Sequence, residues 1–301
     1  MIAIGGTNII KAYLGQTELA NIAIGDELLL SSEPLPYLKF TALEDGTFSY
    51  AQPLQYSLDE GLTWVALAAN TQSPTVTAGN TIMWKGTYTP SGTGNIFSST
   101  GTFNADGDPR SVYAGDNFLT ASIVTRSFSN MFAGSKIVDA SGLLMSYQQL
   151  SNLCCNEMFK NCKELTLPPA LPAMNLANNC YSSMFYGCSA MTNTPALPAL
   201  TLYQNCYEQM FMLCTSIIIA PVLPATTLVR ACYYYMFARC SKINYIKAMF
   251  TSDPTSVSLS TTGWVGSVAT SGTFVKNAAA TWTTTGNNGV PTGWTTETAS
   301  E

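Results

Sequence analysis

Between residues 150 and 245, apolar positions recur on a beat of four residues set inside a longer beat of 26. Leu202, Cys206, Met210 and Cys214 fall at every fourth position, with Tyr207 and Phe211 one step on. That spacing predicts one apolar stripe along a short helix. The stretch between stripes, SAMTNTPALPA at 189–199, is short and proline-punctuated, and prolines return at 168, 195 and 221 and at 172, 198 and 224. Proline neither continues a helix nor donates to a central ladder, so this half predicts a brief strand followed by a turn.

Residues 37–120 carry a different pattern. The short alternating runs YLKFTAL, GTFSY, LQYSL, LTWVAL and TIMWKGTY are broken by turn residues at short intervals, which predicts a small antiparallel sandwich. Inside it YSLDEGLTW matches S-x-D-x-G-x-T-W at Ser57, Asp59, Gly61, Thr63 and Trp64. The pattern resembles the Asp-box of sialidase propeller blades, where it pins a hairpin turn and catalysis lies elsewhere. A single box without blade-length repeats predicts a turn. SSEPLP, 31–36, reads as a linker. Residues 1–30 hold a ten-residue repeat, Ile4-Gly5, Leu14-Gly15 and Ile24-Gly25, which predicts short strands turning at each glycine. Such strands carry too few side chains for a core of their own, so the segment either docks on a partner or intertwines with its own copies, or it folds back on the next domain.

The long beat is exact in its frame. Cys154, Cys180, Cys206 and Cys232 are 26 apart, as are Cys162, Cys188, Cys214 and Cys240; Met158, Met184, Met210 and Met236 keep the same step, each followed by Phe159, Phe185, Phe211 or Phe237. SFSNMFAGS is an earlier degenerate copy, with Met131 placed 27 residues before Met158. A fixed period of this size marks a solenoid, and one strand plus one helix per coil is the leucine-rich-repeat plan. Cysteine is then a small buried hydrophobe stacked between coils. Zinc is disfavoured, because two thiols eight residues apart on a helix lie about 12 Å from each other. The same distance exceeds the ~7 Å alpha-carbon limit of a disulfide within the pair. Disulfides between coils, or one using Cys155, stay open, and an odd total of nine leaves at least one thiol free or paired with another chain.

Composition narrows the chemistry. The chain has 301 residues, 47% hydrophobic and 10% charged, enough to bury more than one core. A net charge of -5 with no basic patch argues against a nucleic-acid partner. The absence of histidine removes the usual general base and the Ser-His and Cys-His nucleophile pairs. Paired carboxylates could hydrolyse glycans without it, but 18 acidic residues scattered through turns form no constellation. MIAIGGTNIIKAYLG reads as neither a secretion signal nor a lipidation site, and no apolar window predicts a membrane span.

The units CYSSMFYGCSAMTNTPALPALTL and CYEQMFMLCTSIIIAPVLPATTL resemble the BspA-like leucine-rich repeats of Bacteroidales surface proteins and of the phages that infect those bacteria. VDASGLL (138–144) resembles the family's opening coil, and WVGSVATSGTFVKNAAATWTTTGNNGVPTGWT (264–295) its usual end. YSLDEGLTWVALAANTQSPTVTAGNTIMWKG resembles the β-domain that often precedes the repeats. The departures are Cys155 where tyrosine is usual, LMSYQQL (144–150) for the proline-bearing strand, and IKAMF (246–250), where the solenoid is predicted to end. The family has no shared catalytic residues, and the resemblance implies adhesion or recognition.

The resulting expectation is an α+β chain: an N-terminal β anchor (1–33), a small antiparallel β-sandwich (34–121), a solenoid with one short strand and one short helix per 26-residue coil (122–250) and a C-terminal cap (251–301). The expected function is a structural, non-enzymatic virion protein of a tailed, crAss-like phage, a head or tail fibre or decoration protein, assembled in the host cytoplasm. A bacterial cell-surface adhesin is the alternative. No cofactor, metal, nucleic acid or membrane insertion is expected. The expected partners are capsid or tail proteins through residues 1–30, a homotrimer, and a host-surface glycan or protein. Anchor positions are Ile4, Ile9, Leu14, Leu19 and Ile24. Candidate recognition positions, which differ between repeats while the frame stays fixed, are Thr166, Thr192, Ile218 and Asn244, and Leu167, Asn193, Ile219 and Tyr245.

Overall fold

The computed structural model describes residues 35–90 and 96–299 in full, together with four short N-terminal strands. The chain divides into two compact units, Met1–Pro36 and Tyr37–Glu301. In the first, β1 (Tyr13–Leu14) pairs antiparallel with β2 (Thr17–Glu18), and β3 (Ile22–Ile24) with β4 (Glu27–Leu30). Of the anchor positions, Leu14 falls in β1 and Ile24 in β3, while Ile4, Ile9 and Leu19 lie outside the described residues.

In the second unit the alternating runs form β5 (Leu38–Ala42), β6 (Phe48–Tyr50), β7 (Leu54–Ser57), β8 (Val65–Leu67) and β9 (Thr81–Lys85), followed by β10 (Phe97–Ser99) and β11 (Phe103–Gly107). Along β5 the residues Leu38, Phe40 and Ala42 are buried and the two between them half-buried, as a half-covered strand requires. Six strands form one sheet in the order β12-β11-β5-β9-β7-β8, where β12 is Ile137–Leu143, and β6 pairs with β10. Phe40, Phe48, Trp84, Phe97 and Phe103 pack ring against ring between the two sheets, with Phe40 and Phe103 centroids 4.7 Å apart. The Asp-box is a closed turn. The Ser57 hydroxyl donates to Asp59 (2.7 Å) and accepts the Gly61 N–H (2.8 Å), while Asp59 accepts both the N–H and the hydroxyl of Thr63 (2.9 and 2.6 Å). The Thr63 hydroxyl, then its N–H, hold the Asp59 carboxyl down at about 2.

The edge strand β12 (Ile137–Leu143) belongs to the first repeat and runs parallel to β11, so the large sheet continues into the repeats instead of closing as a separate sandwich. The approach is tight at Gly142, where a β-carbon would fall 1.9 Å from the Asp106 carboxylate. One core cluster extends from Leu38 to Trp294. At the far end β13 (Tyr245–Ala248), β14 (Thr273–Lys276) and β15 (Thr295–Thr298) form a parallel sheet.

The expected helix per coil is absent, and the α+β solenoid is therefore corrected to a multi-sheet β fold. Among the described residues the helical segments are α1 (Ser111–Ala114) and the 3-10 turn Gly115–Thr120, neither of them in the cysteine segments. Each segment is instead a ribbon of consecutive turns. Leu153, Glu157 and Asn161 have φ of 57°, 56° and 61°; Asn179, Ser183 and Gly187 in the next coil have 57°, 53° and 73°. A left-handed residue at every fourth position interrupts an α-helix. Asn156, Met158 and Lys160 donate their N–H groups three residues back, to Leu153, Cys155 and Glu157. The alternate N–H groups, of Cys155, Glu157, Phe159 and Asn161, leave the coil and donate to Cys180, Ser182, Met184 and Tyr186 at 2.7–3.0 Å. The same left-handed pattern begins at Arg126, Leu153, Asn179, Asn205, Ala231 and Leu259, so the ribbon also recurs beyond residue 250.

Candidate recognition surface

Every member of the cysteine, methionine and phenylalanine frame, from Cys154 to Cys240, is fully buried. Phe132, Phe159, Phe185, Phe211 and Phe237 stack as a column with centroids 5.3–5.8 Å apart and planes within 12°. Tyr181, Tyr207 and Tyr233 form a second column at 6.0 and 6.1 Å. Cys155 takes the next place in that column, and its sulfur lies 3.7 Å from that of Cys154.

The nine cysteines are free thiols. Their two columns differ in chemistry. Cys162, Cys188, Cys214 and Cys240 each donate the thiol hydrogen to a phenylalanine carbonyl of the preceding coil, those of Phe132, Phe159, Phe185 and Phe211, at 2.9–3.1 Å. In the first column the sulfurs of Cys154 and Cys232 reach carbonyls only at 4.0 and 3.9 Å. Burial pushes the thiols of Cys162, Cys206 and Cys240 up to about 12 and that of Cys232 to about 11. A protonated, dry thiol is neither a nucleophile nor a metal ligand. Among the described residues, no His/Cys/Asp/Glu group has the arrangement of a metal site and no helix is long and apolar enough to cross a membrane.

Outside this frame lie the candidate recognition positions. Leu167, Ile218 and Ile219 are 41%, 49% and 59% exposed, Thr192, Asn193 and Asn244 are exposed, and Thr166 and Tyr245 are half-buried. Backbone bridges Asp139 to Leu167 and Ile219 to Tyr245, both parallel, set these residues in register across neighbouring coils. The Thr166 hydroxyl is committed to the Val138 carbonyl at 3.1 Å. The column therefore offers aliphatic, amide, hydroxyl and phenol groups in turn over an unvarying interior.

One cluster has no counterpart in the periodic reading. Asp108, 3% exposed, receives the Arg110 guanidinium through Nε and Nη2 (3.1 and 2.6 Å) and the Tyr147 hydroxyl (3.1 Å). In the following coils the position of Tyr147 is occupied by the buried alanines Ala173, Ala199 and Ala225. The sequence signal was the LMSYQQL departure, where an aromatic replaces a small residue. Compared with protein-family models, curated proteins and solved structures, the chain has no match.

Proposed function

We propose that the protein is a structural, non-enzymatic component of a tailed-phage virion, a fibre or decoration protein of head or tail, whose stacked coils present a recognition surface to the host surface or gut glycans. The observation that carries the adhesive reading is the contrast within each coil. Cysteine, methionine and phenylalanine repeat unchanged inside, whereas Leu167, Asn193, Ile219 and Tyr245 differ at one exposed or half-exposed place. A frame that holds its shape while its outer residues vary is suited to binding and offers no catalytic machinery. The virion assignment draws on the resemblance to the BspA-like repeats of phages, and on the two hairpins of the first unit as the segment that anchors the protein to capsid or tail, as a trimer.

Mass spectrometry of purified virions tests the assignment. Peptides of this chain at a fixed stoichiometry to the capsid protein are the expected result. Their absence from particles, with recovery in a bacterial envelope fraction, overturns the virion reading in favour of the cell-surface adhesin.

A further inference from the structure

A cleft of about 690 Å³ opens where the six-stranded sheet meets the first coil. That volume lies within the roughly 300–1,000 Å³ of ordinary small-ligand sites. Its walls come from the segment that abandons the repeat. LMSYQQL supplies Leu144, Ser146, Gln148 and Gln149, and the chain after α1 supplies Leu119 and Ser122 across from them. Thus this cleft and a departure from the repeat consensus coincide.

The floor is hydrogen-bonded and already neutralised. The Asp108 carboxylate holds Arg110 through two guanidinium nitrogens, a third, Nη1, donates to the Ala121 carbonyl at 2.7 Å, and Tyr147 closes the network from above. The guanidinium lies 5.2 Å from the Tyr147 ring centroid. With its one cation paired to a buried anion, the cleft has no net charge with which to attract a phosphate or carboxylate. What its rim presents is two carboxamides, each able to donate and accept, hydroxyls of the same dual character, and two exposed leucines, Leu119 and Leu144. Paired donor–acceptor groups beside aliphatic surface match the vicinal hydroxyls and C–H faces of an uncharged sugar.

We infer that this cleft is a binding site for a neutral saccharide, an inference that rests on the adhesive reading and adds to the strand column a second, separate place with a stated ligand class. Gln148 and Gln149 are the specificity-determining residues, hydrogen-bonding adjacent hydroxyls, and the Asp108–Arg110–Tyr147 network positions the segment that carries them.

Saturation-transfer NMR on the full chain provides the test, with a panel of neutral hexoses, N-acetylhexosamines and their disaccharides, and sialyllactose as the charged comparison. The expected result is transfer from at least one neutral sugar, with affinity reduced about tenfold or more in Q148A/Q149A. Transfer is expected to be unchanged in T192A/N193A, and sialyllactose is expected to bind no tighter than its neutral core. Both replaced glutamines are exposed, so an unaltered melting temperature separates lost binding from lost folding. No transfer from any neutral sugar overturns the inference, as does transfer that survives Q148A/Q149A. Loss of sugar binding only in T192A/N193A overturns the cleft while leaving adhesion through the strand column standing.

Discussion

At the residue scale, the second cysteine of each coil is explained by its hydrogen. The Phe185 carbonyl accepts the N–H of Cys188 in its own coil (3.1 Å) and the thiol of Cys214 in the next (3.0 Å), which uses both of its lone pairs. Alanine at 214 would remove the second donor and leave a small void, so Cys214→Ala is predicted to cost roughly 1–2 kcal/mol in urea unfolding. The thiols also set a pH dependence. Burial raises the folded-state values of Cys162 and Cys240 from the ordinary 9.0 to about 12. Below pH 9 both folded and unfolded chains are protonated and the full stability is present. Above it the unfolded chain loses protons that the folded chain keeps, so stability falls as pH rises towards 12. The unfolding midpoint is predicted to be level through neutral pH and to drop above about pH 9, with a shallower drop in Cys214→Ala. A midpoint that rises between pH 9 and 11 contradicts the buried, protonated ladder. Titration with a thiol reagent in denaturant, without reductant, is predicted to find close to nine thiols, and close to none before unfolding. A count near zero in denaturant would mean that the ladder is oxidised.

At the element scale, the left-handed residues distinguish a turn ribbon from a helix. Gln209 sits at φ 52°, and glycine holds the equivalent place at Gly263. In a helix interior glycine is worse than alanine by about 1 kcal/mol. At a left-handed position the preference reverses, because the β-carbon strain of roughly 1–2 kcal/mol disappears. Gln209→Gly is therefore predicted to melt above Gln209→Ala, and the reverse order would restore the helix. This is also where the sequence misled. The 26-residue beat, the buried frame and the alternating strands of the aromatic core were legible, because burial repeats wherever the fold does. The local conformation was not, since spacing by four suits both a helix face and a four-residue turn ribbon. On an α-helix a strict step of four drifts by about 40° each time. A ribbon with one left-handed residue per four avoids that drift. The missed signal was Asn and Gly at ribbon positions 130, 134, 161, 179, 187 and 205, residues that tolerate positive φ.

At the scale of the second unit, sheet and stack share one core. β11 pairs with β12, Phe132 of the first ribbon meets Phe97 at 5.9 Å and Phe159 at 5.3 Å, and Tyr147 reaches back to Asp108. Apart from the Phe132–Phe159 step of the phenylalanine column, these contacts follow no periodic rule, which is why the junction and its cleft were not legible beyond the LMSYQQL departure. Coupling of this kind predicts a single cooperative transition for Tyr37–Glu301 in calorimetry. Removal of the Tyr147 hydroxyl in Tyr147→Phe is predicted to lower the midpoint by leaving a buried carboxylate short of a donor, at a cost of about 1–3 kcal/mol. Two separated transitions would show that the junction does not couple its two sides.

The central claim is that an invariant buried frame displays a variable outer column for adhesion. Binding of the labelled full chain to intact Bacteroidales cells, the hosts that the proposed function implies, compared with T192A/N193A/N244A/Y245A, tests it most directly. The account predicts saturable binding that falls at least about tenfold in the variant, with melting temperature and thiol count unchanged. Binding of equal strength by both proteins, or by neither, would contradict it.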